Sequence, residues 1–242
     1  MRAVYLRELG SYFSSMIAYI TVGLLLVVLG LMLWVFPDFS ILLSPFASVD
    51  SLFAIAPMIF IFLIPAFTMR SFAEEKQSAT LEVLLTRPIT AFQIVAGKYL
   101  ATITWLAIAL LPTILYVVTV YSLGSPKGNI DLGQIAASYL GLYLLGSVFC
   151  AIGIFASSQT SNQIVAFVGA VFFCFVLYYG FYFISKLASF QASLDSLIES
   201  LGIDYHYHSI SRGIIDTRDL AYFICLIGLC LAWTWATISN RK

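Results

Sequence analysis

The chain has 242 residues, 61% hydrophobic and 10% charged, with a formal net charge of zero. At a mean hydropathy of +0.98, it carries more apolar surface than a soluble protein of this size can bury, so a bilayer must be its solvent. The loops are too short for a soluble catalytic domain, and no basic stripe with interleaved aromatics points to nucleic acid.

Six apolar runs without an internal charge predict six spanning helices in an all-α integral membrane protein, one domain over residues 1–242. Met1–Ser15 comes first, with Val4, Tyr5, Leu9, Tyr12 and Phe13 set against Arg2, Arg7 and Glu8, and suits a helix lying in the interface. The first span, Met16–Phe36, is too long for a signal-peptide core and is expected to be retained. The second, Leu52–Met69, contains Pro57 and Pro65, and the third, Tyr99–Tyr121, contains Pro112. Each proline favours a kink, either for packing or as a bending point in a conformational cycle.

Between spans two and three lies Arg70–Lys98, the most charged stretch of the chain. Ser71-Phe-Ala-Glu74 and Thr90-Ala-Phe-Gln93 have the form of capping boxes. A short helix is expected over Thr80–Thr86, stopping before Pro88, with Leu81, Leu84 and Leu85 on one face. That face suits a groove on a soluble partner, or else a membrane surface. Glu74, Glu75 and Glu82 favour the partner, because an anionic leaflet repels them.

The fourth and fifth spans are Ile135–Ser157 and Ile164–Ile184, joined by the uncharged turn Ser157–Gln163. The loop Ser185–Asp219 follows. There Phe190, Leu194, Leu197, Ile198 and Leu201 recur at helical spacing, with Asp195, Ser196, Glu199 and Ser200 opposite, predicting an amphipathic helix. His206 and His208, beside Asp204, read as part of a polar loop or as a weak metal pair. The last span is Leu220–Ile238.

An even number of spans puts both termini on one side. That side receives Arg2, Arg7, Arg70, Lys76, Arg87, Lys98, Arg241 and Lys242; the other receives Lys127, Lys186, Arg212 and Arg218. Eight basic residues against four make the first side cytoplasmic. Cys150, Cys174, Cys225 and Cys230 sit inside apolar runs without C-x-x-C spacing and read as small buried residues. No phosphate-binding loop, H-E-x-x-H or G-x-S-x-G is present, so the chain is not expected to be an enzyme by itself or to bind a cofactor. The spans offer hydroxyls such as Thr68, Thr102 and Ser147 but no proton carrier, which excludes protons better than it excludes sodium held by backbone carbonyls, and any work is expected to be driven through a partner.

Glu74-Glu-Lys-Gln-Ser-Ala-Thr-Leu-Glu-Val-Leu-Leu-Thr-Arg-Pro88 resembles the coupling segment of type-2 ABC exporter permeases. The turn Ser157–Gln163 resembles the link between their fourth and fifth spans, and Arg212-Gly-Ile-Ile-Asp-Thr-Arg-Asp219 resembles their R-G-x-x-D-x-R-D segment. Within that family, the length and motifs look most like the gliding-motility-associated permease, with the permease of copper-site maturation in nitrous oxide reductase second.

The resemblance implies an inner-membrane permease subunit with a second permease copy or related membrane subunit. An ABC ATP-binding subunit would hold ATP and Mg and dock beneath it. Glu74, Glu75, Thr80, Leu81, Glu82, Leu84, Leu85, Arg87 and Pro88 would form the docking site, while Asn162, Gln163, Arg212, Gly213, Asp216, Arg218 and Asp219 would be structural. Ala79 stands where the family usually has glycine; alanine favours helix and is expected to lengthen the coupling helix. A secondary carrier and a non-transporting scaffold remain as alternatives.

Overall fold

The computed structural model describes residues 1–41, 48–86, 89–124, 128–186 and 195–240, with only the backbone described at positions 83, 85, 196 and 197. Among the described residues it is helical throughout, without strands. Six helical segments are long and apolar enough to cross a bilayer: Met16–Trp34, Asp50–Gln77, Ala91–Leu123, Leu132–Gln159, Gln163–Ser185 and Thr217–Ser239.

The N-terminal helix α1 (Arg2–Ser14) precedes α2 (Met16–Trp34), the first span. The second span is α3 (Asp50–Thr68) followed directly by α4 (Arg70–Gln77), with a one-residue break at Met69. A short helix α5 (Thr80–Leu85) turns away from its end. The third span begins at Ala91, well before the Tyr99 expected from its apolar run. The capping box of Thr90 and Gln93 starts α6 (Ala91–Leu110), and a 3-10 turn at Pro112 leads to α7 (Ile114–Leu123). The box expected at Ser71 and Glu74 does not form, because the helix arrives from α3 and α4 has no side-chain cap.

The fourth span is the single helix α8 (Leu132–Gln159), opened by Asp131, whose carboxylate accepts from the Gly133 and Gln134 N–H groups. It is buried along most of its length and touches α3, α4, α6 and the helices of spans five and six. Glycines allow these approaches. A Cβ on Gly146 would lie 2.6 Å from Leu106, and one on Gly153 would lie 2.0 Å from the Thr68 hydroxyl. Span five is α9 (Gln163–Phe175), a π turn (Val176–Gly180) and α10 (Phe181–Ser185).

After α10, the amphipathic helix expected from residue 190 falls partly outside the described residues. Phe190 and Leu194 lie there, as does the Leu197 side chain. What is described is the short α11 (Asp195–Glu199), then α12 (Ile203–Ser211), which the sequence analysis assigns to a polar loop. Ile203, Tyr207 and Ile210 recur at i, i+4, i+7 and are buried, a helical signal masked by the histidines between them. Tyr207 donates a 2.7 Å hydrogen bond to the Phe53 carbonyl. That carbonyl lacks its helical donor because Pro57, four residues on, has no N–H. The sixth span is α13 (Thr217–Ser239).

Candidate coupling site

The site is built at the end of the bundle that carries both termini. Span two runs past its apolar section into α4, and the chain is held at the break between α3 and α4 by a residue from another helix. Ser157 on α8 accepts hydrogen bonds from the Phe72 and Ala73 N–H groups, both at 3.0 Å, and donates to the Met69 carbonyl at 2.7 Å. One hydroxyl therefore serves three backbone groups that an unbroken helix would pair internally. Nearby, Lys76 donates to the Ser158 carbonyl. The end of α4 is thus tied to α8, on the side opposite Ser71 and Glu75.

That second side meets α1 and α6 in a cluster of four charges. Lys98 on α6 is only 2% exposed, and its Nζ lies 3.0 Å from Glu8, 3.1 Å from Glu75 and 2.7 Å from the Ser71 carbonyl. Arg7 also pairs with both carboxylates. Burial disfavours the Glu8 carboxylate, but Lys98 and Arg7 outweigh it and hold its pKa below the ordinary glutamate value. Burial likewise opposes the Arg7 charge, and the two carboxylates raise its pKa in spite of it. Glu8 was assigned to the polar face of an interfacial helix; it instead points inward with Val4 and Tyr12, whose spacing puts all three on one face. Val4 packs on Gly97, and Tyr12 stacks on Trp105 at 6.0 Å between ring centroids.

Between α4 and α5, Ala79 adopts φ 56° and ψ 16°, the left-handed region. The expectation that alanine lengthens the helix here is therefore overturned: the chain breaks at Ala79 and α5 restarts beyond it. The hydroxyls of Ser78 and Thr80 bond each other at 3.0 Å across the turn.

A family model described as ABC-2 family transporter protein matches residues 39–238, most of the chain. The chain belongs to the ABC-2 transporter family. No curated protein matches it. As an ABC-2 membrane subunit it is a multi-pass permease of an ABC transporter, a class that works with an ATP-binding subunit.

In this ABC-2 subunit the residues expected at a docking surface divide into five groups. Leu81 and Leu84 are 4% and 8% exposed and pack into the protein's own core. At these two positions the apolar side of α5 faces inward. Glu75 is held in the charge cluster. Glu74 is exposed and lies 4.0 Å from Arg70. Thr80 and Glu82, with Thr86, are exposed at the tip. Arg87, Pro88 and the Leu85 side chain lie outside the described residues.

The remaining family motifs of the ABC-2 subunit have local roles. Asn162 caps α9 by accepting from the Ile164 N–H at 2.9 Å, and Gln163 is its first helical residue. At the opposite end, Gly213 ends α12 at φ 89°, a conformation that suits glycine. Asp216 caps α13 by accepting from the Arg218 N–H at 2.9 Å. Asp219 is buried and lies 2.7 Å from His206 Nδ1, whose Nε2 faces the Ser200 carbonyl at 2.9 Å. Both His206 nitrogens are thus engaged by the fold, and His208 faces Asp204 at 3.4 Å. Arg212 and Arg218 are exposed.

Proposed function

We propose that the chain is the permease subunit of an ATP-driven exporter, and that a partner ATPase acts on the tip formed by α4 and α5. The observation that carries this reading is the mechanical continuity of that tip with the bundle. Force on α5 passes through α4 into α3, through Ser157 into α8, and through Glu75 and Lys98 into α6. The contact offered to the ATPase is the polar tip of Thr80, Glu82 and Thr86. Charge supports a cytoplasmic position for this end, in the inner membrane with both termini inside. ATP and Mg belong to the partner; a second permease copy or a related membrane subunit completes the path. Motif order and detail support the gliding-motility-associated branch of the family.

Coexpression with candidate ABC ATP-binding subunits from the same organism tests the contact. Glu82→Arg should lower copurification or ATPase stimulation about tenfold, the scale of one charge-assisted contact, while leaving insertion unchanged. Normal binding by this variant would place the contact elsewhere. Copurification of an additional membrane subunit with the ATPase would support the gliding branch, and a copper-site maturation protein in its place would overturn that finer assignment.

A further inference from the structure

Beside the charge cluster lies a cleft of about 460 Å³ between α1 and the second span. One end is lined by Ile17, Ala18 and Phe67, at the membrane ends of α2 and α3. The other end is lined by Arg70, Glu74 and Ser78 along one face of α4. The lining therefore passes from apolar to charged along the direction in which a bilayer passes from acyl chain to headgroup.

The charges that line it cancel. Arg7, Arg70 and Lys98 face Glu8, Glu74 and Glu75. A ligand of net charge finds no opposing excess there, whereas a ligand carrying one charge of each sign does. Three groups have capacity to spare. Arg70 Nε and Glu74 Oε2 are 4.0 Å apart, with both side chains partly exposed, so neither is consumed by the other. Buried Glu75 Oε2 has no hydrogen-bond partner among the described residues, although its other oxygen takes Arg7 and Lys98. A buried carboxylate oxygen without a donor is costly.

We infer that this cleft binds the phosphoethanolamine headgroup of a membrane lipid. The phosphate takes the Arg70 guanidinium, whose N–H groups match phosphate oxygens. The primary ammonium donates to Glu74 and to Glu75 Oε2. The acyl chains leave past Ile17 and Phe67. A choline headgroup has the same charges but no N–H to donate, and a glycerol headgroup has the phosphate without the cation, so both bind less well. The occupant wedges between α1 and α4, and so bears on the element that carries the coupling tip.

Native mass spectrometry of the full-length protein, released from bilayers of equal ethanolamine, choline and glycerol phospholipids, tests this. One ethanolamine lipid per protomer should be retained about tenfold over each of the others, the scale of one charge-assisted hydrogen bond. Glu74→Gln and Arg70→Gln should each abolish that preference. Equal retention of the three lipids by the wild-type protein overturns the assignment even if the variants fail to fold. A preference that survives in the folded double variant places the lipid elsewhere and overturns it too. Soluble phosphoethanolamine that binds as tightly as the lipid would overturn the membrane source of the headgroup.

Discussion

Ala79 is the residue whose sequence most misleads. Alanine is the best helix former, yet here it occupies the left-handed region, where a Cβ costs about 1–2 kcal/mol. Nothing in Ser78-Ala79-Thr80 announces this, because the turn is set by the burial of Leu81 and Leu84 beyond it and of Phe72 and Ala73 before it. Tertiary packing overrides local preference. Ala79→Gly should therefore stabilise the protein by about 1 kcal/mol, less the extra entropy glycine brings to the unfolded chain. In detergent, a rise in Tm of roughly 2–4 °C is the expected reading for a change of that size. A fall in Tm would mean the alanine methyl makes a packing contact worth more than the strain.

The elements themselves were largely legible. Six long apolar runs give six spanning helices because lipid leaves a backbone no other way to satisfy itself. The boundaries were less so: helices continue into charged sequence wherever another helix pairs the charges, as α6 does with Lys98. The amphipathic α12 was hidden because His206 and His208 lent its window a polar look. Small residues on α8 were also silent, since a glycine reveals its purpose only through its neighbour. Gly153 shows the scale of that effect. An added methyl would sit 2.0 Å from the Thr68 hydroxyl and 2.8 Å from its Cβ. Gly153→Ala should force α8 and α3 apart and cost about 1–3 kcal/mol, the usual range for overpacking. Thr68→Ala in the same chain should recover part of that loss by removing the hydroxyl. Thermal unfolding of the two single variants and the double variant forms the cycle that checks it.

Across the molecule, the four-charge cluster unites elements far apart in sequence: α1, α4 and α6. Its members are all visible as charges in the sequence, Glu75 in the docking segment and Lys98 in the count of basic residues, but a one-dimensional pattern cannot say which charge will find a partner. Lys98→Met leaves Glu8 and Glu75 with Arg7 alone in a buried setting and should cost about 3 kcal/mol. Acidity should act on the same joint. The folded pKa of Glu8 lies below its ordinary value of 4.5, so its contribution is complete above that pH and is lost as the pH falls through the folded value. Opening of α1, read as amide exchange relative to the intrinsic rate at each pH, should accordingly increase as the pH falls below 4.5 in the wild-type protein. In Glu8→Gln this acid-dependent increase should be reduced, and an unchanged pH profile would move the effect to another group.

The hydroxyl of Ser157 closes the backbone of a helix to which it does not belong. The bend at Met69 is for that reason a three-party agreement and not a local property of one stretch of chain. While the hydroxyl is seated, α3 and α4 are held at one bend and tied to the same point of α8. If α8 withdraws by about an ångström, both amides and the carbonyl lose their partner together. A single oxygen is thus the shared rivet of two helices, and whatever loosens one of them is felt by the other.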